Sequence, residues 1–381
     1  MTHMRCASRP SRAGDTGAGR RLARAFAIGV ALTVAAVCSA HAQILPAPSP
    51  TPTPGITIIS SEISANAAVS NLGSSFLERL GNQATNGANR LGRTNPGGGG
   101  ASEAAEAPKV RAWGEVYGIS ATTNRQGDFA GDRRTTQGGV VGVGATFAPG
   151  FSVGFSVDQS RSNIDVPLAF QTATLNLTQI GGNFSIDKGP WTVAGAIVHG
   201  FGQISSLRDT GGGVTGFASA NYNAVIDGGL IELDYYWTQN QSRVVPKVAF
   251  EYVRSSTDAF QELGNPFFLV SATGATAERA RILAGAEIGH YFIIDRKILD
   301  LSAYGKFIDN VHQAFGAVTV SIPGFQSISV QGIGESRYGA DAGAAASFGL
   351  SNNFRLYAHY DAKFRAQYQS HQGTVGLELR W

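Results

Sequence analysis

The chain has 381 residues, 43% hydrophobic and 15% charged, with 49 glycines and a formal net charge of +3. Charge is low and glycine is high without a collagen-like period. Outside the N-terminal region no run of 18 or more apolar residues occurs, which excludes spanning by helices and leaves a closed β-barrel as the membrane option.

The N-terminus reads as a secretory signal. Arg20, Arg21 and Arg24 precede the apolar stretch Ala25 to Val37, and Ala40-His41-Ala42 forms an A-x-A cleavage site before Gln43. That stretch is too short for a membrane anchor. Both cysteines, Cys6 and Cys38, lie inside this segment, so the processed chain has no disulfide or thiolate metal site. Val37 is bulkier than the residue that usually precedes a lipidated cysteine. Removing residues 1–42 leaves 24 basic and 26 acidic residues, a net charge of −2. The basicity of the whole chain belongs to the signal, and nothing argues for nucleic acid.

A Pro-rich stub covers residues 43–55. A helix is expected over Ile56 to Arg93, with the amphipathic run Leu72 to Leu91, although Gly73, Gly81 and Gly87 weaken it. About 35 helical residues at 1.5 Å each would reach roughly 50 Å, enough to thread a pore of bilayer thickness. Residues 94–109, with the run Pro96 to Gly100, read as a flexible linker.

From Val110 onward, apolar and polar residues alternate with the period of a β-strand. Val141, Val143, Ala145 and Phe147 oppose Gly142, Gly144 and Thr146; Phe151, Val153, Phe155 and Val157 oppose Ser152, Gly154, Ser156 and Asp158. Leu299, Leu301, Ala303 and Phe307 alternate with Asp300, Ser302, Tyr304 and Lys306. Phe354, Leu356, Ala358, Tyr360, Ala362 and Phe364 alternate with Arg355, Tyr357, His359, Asp361, Lys363 and Arg365. The chain closes on Val375, Leu377, Leu379 and Trp381, a row that reads as lipid-facing and as the barrel's assembly signal. The first, fourth and fifth strands alternate poorly. Short connections at Pro149-Gly150, 187–190, 239–241, 295–297 and 351–353 alternate with longer ones at 123–134, 165–171, 208–216, 258–275 and 312–334, the exception being a brief gap near Gln367 to Ser370. Short turns on one side and long loops on the other, with Phe147, Phe151, Phe348, Phe354, Phe364 and Trp381 at strand ends, describe an all-β fold. A transmembrane antiparallel up-and-down barrel of about 12 strands over residues 110–381 is expected, with a pore that the helix is long enough to thread.

Inward charges should include Glu232, Asp234, Lys247, Glu251, Arg279, Arg281, Glu287, Lys306, Asp341, Arg355, Asp361, Lys363, Arg365 and Glu378. Mixed-sign charge lines most barrel interiors, so the plain reading is a wet wall. The specific reading is a network that holds the helix, drawn from Glu251, Arg281, Glu287, Arg355, Asp361, Lys363 and Arg365. No metal or cofactor motif occurs: His199, His290, His312, His359 and His371 lack H-E-x-x-H spacing, and no G-K-[ST] follows the glycine runs. No G-x-S-x-G elbow is present, and Ser336, Asp341 and His359 have no oxyanion hole to complete them, so no enzyme activity is expected. The long loops carry Asn265 to Val270 and Ile322 to Phe325, apolar clusters that would suit a surface ligand.

Several local patterns resemble the translocator domain of autotransporters (type V secretion). They are Trp113-Gly114 opening the first strand, Gly138-Gly139 with Gly142 and Gly144, the segment Val245 to Tyr252, and Tyr357 to Asp361 leading through Tyr368, His371, Gly373 and Gly376 to Trp381. The resemblance covers Arg111 to Trp381 and the preceding helix. It implies a 12-stranded barrel threaded by a helix, acting as a monomer in the outer membrane of a Gram-negative cell. It also implies contact with outer-membrane lipid and barrel-assembly machinery, and export of an N-terminal passenger. Between Gln43 and the helix lie only a dozen or so residues, so a very short or absent passenger is expected. The alternatives are a surface interaction protein and a small diffusion pore. Asn82, Asn86 and Asn89 invite comparison with family members that cut their passenger inside the pore, but they read more simply as helix-surface polarity.

Overall fold

The computed structural model describes residues 57–86, 110–127, 129–211, 216–264, 269–294, 297–351 and 353–381. The signal segment, the stub, the Gly-rich linker and the outer parts of the expected helix lie outside the described residues. A 3-10 turn at Thr57–Ile59 runs into helix α1 (Ser60–Asn86). At 1.5 Å per residue α1 is about 40 Å long.

Twelve long strands follow: β1 (Val110–Thr123), β2 (Asp132–Ala148), β3 (Phe151–Val166), β4 (Gln171–Lys188), β5 (Trp191–Asp209), β6 (Phe217–Tyr235), β7 (Ser242–Thr257), β8 (Thr276–Ile294), β9 (Lys297–Phe315), β10 (Tyr338–Gly349), β11 (Phe354–Arg365) and β12 (Tyr368–Arg380). Each pairs antiparallel with its sequence neighbours, and β6 meets β7 from Ala224↔Thr257 to Asp234↔Lys247. The sheet closes where β1 pairs with β12, from Arg111↔Arg380 to Thr123↔Tyr368. Val110 and Trp381 exchange backbone hydrogen bonds at 3.1 and 3.0 Å at the foot of this seam. Closure leaves no barrel edge unpaired.

The outward residues form an apolar belt. Along β3 they run Phe151, Val153, Phe155 and Val157 and turn polar at Gln159; along β4 they run Ile186, Phe184 and Ile180 and turn polar at Thr178. On β5 and β6 the change comes at His199 and Asp227, which pair at 2.8 Å on the outer wall. At a strand tilt of about 40° such a run rises roughly 20 Å, close to the height of an outer-membrane lipid band. Phe147, Trp191, Trp237 and Trp381 are exposed at the end of the barrel that carries the short turns. Among the described residues no helix is long and apolar enough to cross a membrane. The strands do the crossing.

Several inward glycines of the wall are covered by a ring from the neighbouring strand. A Cβ on Gly138 would fall 2.5 Å from Tyr117 Cζ, and one on Gly142 would fall 2.4 Å from Trp113 Cε2. Tyr357 covers Gly376 in the same way, at 2.5 Å. The rings fill the hollow that each glycine leaves, which explains the glycine spacing of β2.

The long loops depart from expectation. β9 continues to Phe315, and beyond it Ala317–Ser321 and Ile328–Gln331 form a hairpin. Ser271–Ala272 and Phe260–Gln261 complete a four-stranded sheet over that end of the barrel. The apolar residues of these loops turn inward: Val270, Ala272, Val318, Val320 and Val330 bury Ile59 and Ile63 at the start of the helix. Of the two expected surface clusters, residues 265–268 lie outside the described residues, Val270 is buried, and Phe325 is 71% exposed. The driving force is plain, since Ile59 and Ile63 at the pore mouth offer the loops an apolar partner that water does not.

Candidate functional site: the helix-threaded pore

Helix α1 has two faces, and the barrel wall matches each. Ala65, Ala68, Val69, Leu72, Phe76, Leu77 and Leu80 recur at helical spacing and form one stripe. They pack against an apolar inner wall of Ile164, Leu175, Leu177, Val198, Ile204, Tyr222, Ile226 and Leu230, from β3 to β6. Each large side chain buried there contributes about 1.5–3 kcal/mol. Glycines bring the surfaces together. A Cβ on Gly73 would lie 2.0 Å from Ile226 Cδ1, and one on Gly228 would lie 2.9 Å from Leu77 Cδ1. The glycines that weaken the helix in isolation let it approach the wall.

The other face is polar and meets charged strands. Ser70 shares a hydrogen bond with Ser255 (2.7 Å), and Ser74 donates to Glu251 (2.6 Å). Arg281 bonds Ser74, Glu78 (2.5 Å) and Glu251 (2.8 Å), and Lys363 reaches Glu78 at 2.8 Å. Arg79 pairs with Glu115 (3.0 Å) and Asp158 (3.2 Å) and lies 3.9 Å from the centre of the Tyr117 ring. These groups are buried. Burial of charge is tolerable because each has a partner, and deleting one partner of such a pair costs about 3–5 kcal/mol.

A helix leaves amide and carbonyl groups unpaired at its ends. Here the barrel supplies the caps. Gln171 at the start of β4 accepts from Ser61 N and donates to Ile58 O, both at 2.8 Å. At the other end Arg111 donates to Gln83 O (2.6 Å) and Tyr236 to Thr85 O (3.0 Å), while Asn183 adds a bond to Leu80 O (2.7 Å) further inside the helix. α1 is wired into the wall along its sides and at both ends.

The seven residues expected to contact the helix divide into two groups. Glu251, Arg281 and Lys363 bond it directly. The other four take their places in networks of the wall. Glu287 is held with Asp300 by Arg243, Arg355 donates to Glu378, Tyr304 donates to Asp361, and Arg365 bonds Asp341 and Glu335. Lys247 similarly holds Glu232 and Asp234 at 3.3 and 3.2 Å. Near the loop end Arg279 links Asn71 of the helix (3.0 Å) to Glu335 (2.7 Å) in the connection before β10. Burial alone would raise the Glu335 carboxyl, but Arg279 and Arg365 hold it down at about 2.

Sequence reasoning missed Gln171 and Tyr236, which cap the helix, and Asn183, which bonds its interior; none has a local signal. Arg79 and Gln83, one helical turn apart beside the Leu77 and Leu80 stripe, carried a readable pattern. Ser336, Asp341 and His359 are engaged separately. Ser336 Oγ donates to Tyr338 O (2.8 Å), Arg365 holds Asp341 (2.7 Å), and His359 meets the Tyr357 ring edge-on at 5.3 Å. Asn82 lines a polar chamber between α1 and β9–β12 with Ser302, Ser347 and Gln372. The Asn86 side chain and Asn89 lie outside the described residues. The outward row Val375, Leu377, Leu379 and Trp381 is 51, 48, 45 and 57% exposed.

The sequence matches the Autotransporter beta-domain family over residues 112–361. The chain belongs to that family. Its fold is similar to the translocator domain of the autotransporter NalP from Neisseria meningitidis, at 16% identity and a TM-score of 0.64, covering 85% of this chain and 99% of that one. It is also similar to the beta domain of the Bordetella autotransporter BrkA, at 13% identity and a TM-score of 0.54, covering 72% and 100%. A comparison with curated proteins finds no match. The protein is an autotransporter translocator domain, a 12-stranded outer-membrane barrel threaded by its N-terminal helix.

Proposed function

We propose that the autotransporter barrel is closed to free diffusion by α1, the trailing segment of an exported chain, and that Glu251, Arg281 and Lys363 retain it there. The observation that carries this reading is the capping of both helix ends by wall side chains, Gln171 at one end and Arg111 and Tyr236 at the other. A segment merely resting in a wide pore would leave those groups to water. Thr57 stands at the loop end, so chain preceding it is delivered to the outer surface. The row Val375, Leu377, Leu379 and Trp381 is what the assembly machinery reads, and the apolar belt is what lipid covers.

Single-channel conductance in planar bilayers tests the plug. The full chain should conduct a small fraction of what a chain lacking Ser60–Asn86 conducts. Equal conductance from the two would sink the proposal. A surface-ligand role for the loops is the weaker reading, because Val270, Val318, Val320 and Val330 are spent on covering the helix.

A further inference from the structure

The β1–β12 seam differs from the other strand junctions of the barrel. Those strands are joined to their neighbours through the chain, whereas β1 and β12 carry the two ends of the barrel sequence. A junction without a connecting turn, once opened, recloses against a larger loss of chain entropy. Its outward face has a gap where Gly118 on β1 lies opposite Gly373 on β12.

The last two turns of α1 reach this junction. The Gln83 side-chain amide donates to Glu115 of β1 (2.9 Å) and to the Tyr357 hydroxyl of β11 (3.2 Å), and Tyr357 itself donates to Glu115 (3.0 Å). The Gln83 side-chain oxygen accepts from Arg111 of β1 (3.0 Å), and Arg111 reaches Glu378 of β12 (3.4 Å). Glu378 is fully buried and is also held by Arg355 of β11 (3.0 Å). Gln83 thus bonds β1 on one side of the seam and β11 on the other, and reaches β12 through Arg111, while Arg79 adds a second bond to Glu115.

We infer that the C-terminal turns of α1, through Gln83, lock the β1–β12 seam, so that the barrel wall is laterally openable only when the helix is out of place. The seam and the plug are then one cooperative unit at the turn end. At the loop end the seam has its own tie, because Arg134 bonds Thr123 (2.6 Å) and lies over the Tyr368 ring at 5.4 Å. The inference rests on the plug reading, and the two are separable by experiment.

Amide hydrogen exchange on the full chain in detergent reads the seam directly. Gln83→Ala should speed exchange about tenfold in Arg111–Val116 and Val375–Arg380, leave β4 and β5 unchanged, and keep the low conductance that Arg281 and Lys363 maintain. Leu77→Ala loosens the helix on the opposite wall and should leave the seam protected. Equal exposure of the seam by both variants, or no change with Gln83→Ala, overturns the inference. Val116 and Val375 are directly opposed across the seam. A disulfide from Val116→Cys and Val375→Cys should restore protection to Gln83→Ala. If the single variant fails to close, the bridged protein can be folded oxidised and then reduced, and its seam exchange read afterwards. High conductance in Gln83→Ala with a protected seam would refute the plug's retention and the seam lock together, whereas low conductance with a protected seam refutes the lock alone.

Discussion

Leu80 occupies the space that a side chain at Gly181 would need. A Cβ built on Gly181 falls 2.5 Å from Leu80 Cδ1 and 3.0 Å from Phe76 Cε1. The inner wall of β4 is therefore hollowed where the helix bulges, and the fit fixes the helix in both height and rotation. Gly181→Leu should push the helix off its seat. Overpacking of this kind costs about 1–3 kcal/mol, enough to populate a loosened helix without preventing barrel closure. Raised and flickering single-channel conductance, with normal heat-modifiable migration on a denaturing gel, is the expected result.

Arg281 is the hinge of the polar side, because it holds Glu251 of β7 and Glu78 of the helix together. Arg281→Met leaves the buried Glu251 carboxylate without its cation, while Lys363 still holds Glu78, and the loss should be about 3–5 kcal/mol. The barrel of this variant should unfold at a lower temperature, followed by circular dichroism or gel migration. Adding Glu251→Gln removes the stranded charge, keeps the Glu78–Lys363 pair intact and should recover most of the loss. A double variant no better than Arg281→Met would show that charge is not the cause.

How much of this was legible in the sequence depended on what each strand face meets. β3, β11 and β12 have lipid on one side and polar lumen on the other, so their alternation reads cleanly. β4 and β5 do not, because Leu175, Leu177, Val198 and Ile204 face inward onto the apolar stripe of α1 while Ile180, Phe184 and Ile197 face lipid. Two apolar faces erase the period. The same mismatch carried the position of the helix, since an inner wall with no need of water implies a partner. Individual contacts such as Gln171 to Ile58, 113 residues apart, depend on the closed sheet and have no local trace.

The tie at the loop end should have a defined pH range. Glu335 is held by Arg279 and Arg365, and its carboxyl is lowered from 4.5 to about 2. A carboxyl depressed in the folded state contributes stability that is present above its unfolded value and lost as pH falls through the folded one. Protease sensitivity of the connection between Ala317 and Tyr338 should therefore be flat from neutral pH to about pH 4.5 and rise as pH 2 is approached. Glu335→Gln should be sensitive at neutral pH and show no such rise. A wild-type rise centred well above pH 4.5 would contradict the assignment.

Trp381 separates what lipid requires from what assembly requires. Its side chain is 57% exposed at the foot of the outward row, and its backbone closes the seam with Val110. An Arg or Lys side chain costs about 2–4 kcal/mol at the membrane midplane and about 0–1 kcal/mol near the interface, and Asp follows the same depth order at a lower cost. Val375 sits higher in the row, so on lipid cost alone Val375→Asp should harm the barrel more than Trp381→Asp. If the terminal residue is also read by the assembly machinery, the order reverses. Trp381→Asp should then lower outer-membrane levels several-fold more than Val375→Asp, with signal cleavage and passage through the inner membrane intact. Fractionation and immunoblotting of the two variants decide it, and normal outer-membrane levels of Trp381→Asp would remove the residue from the assembly signal.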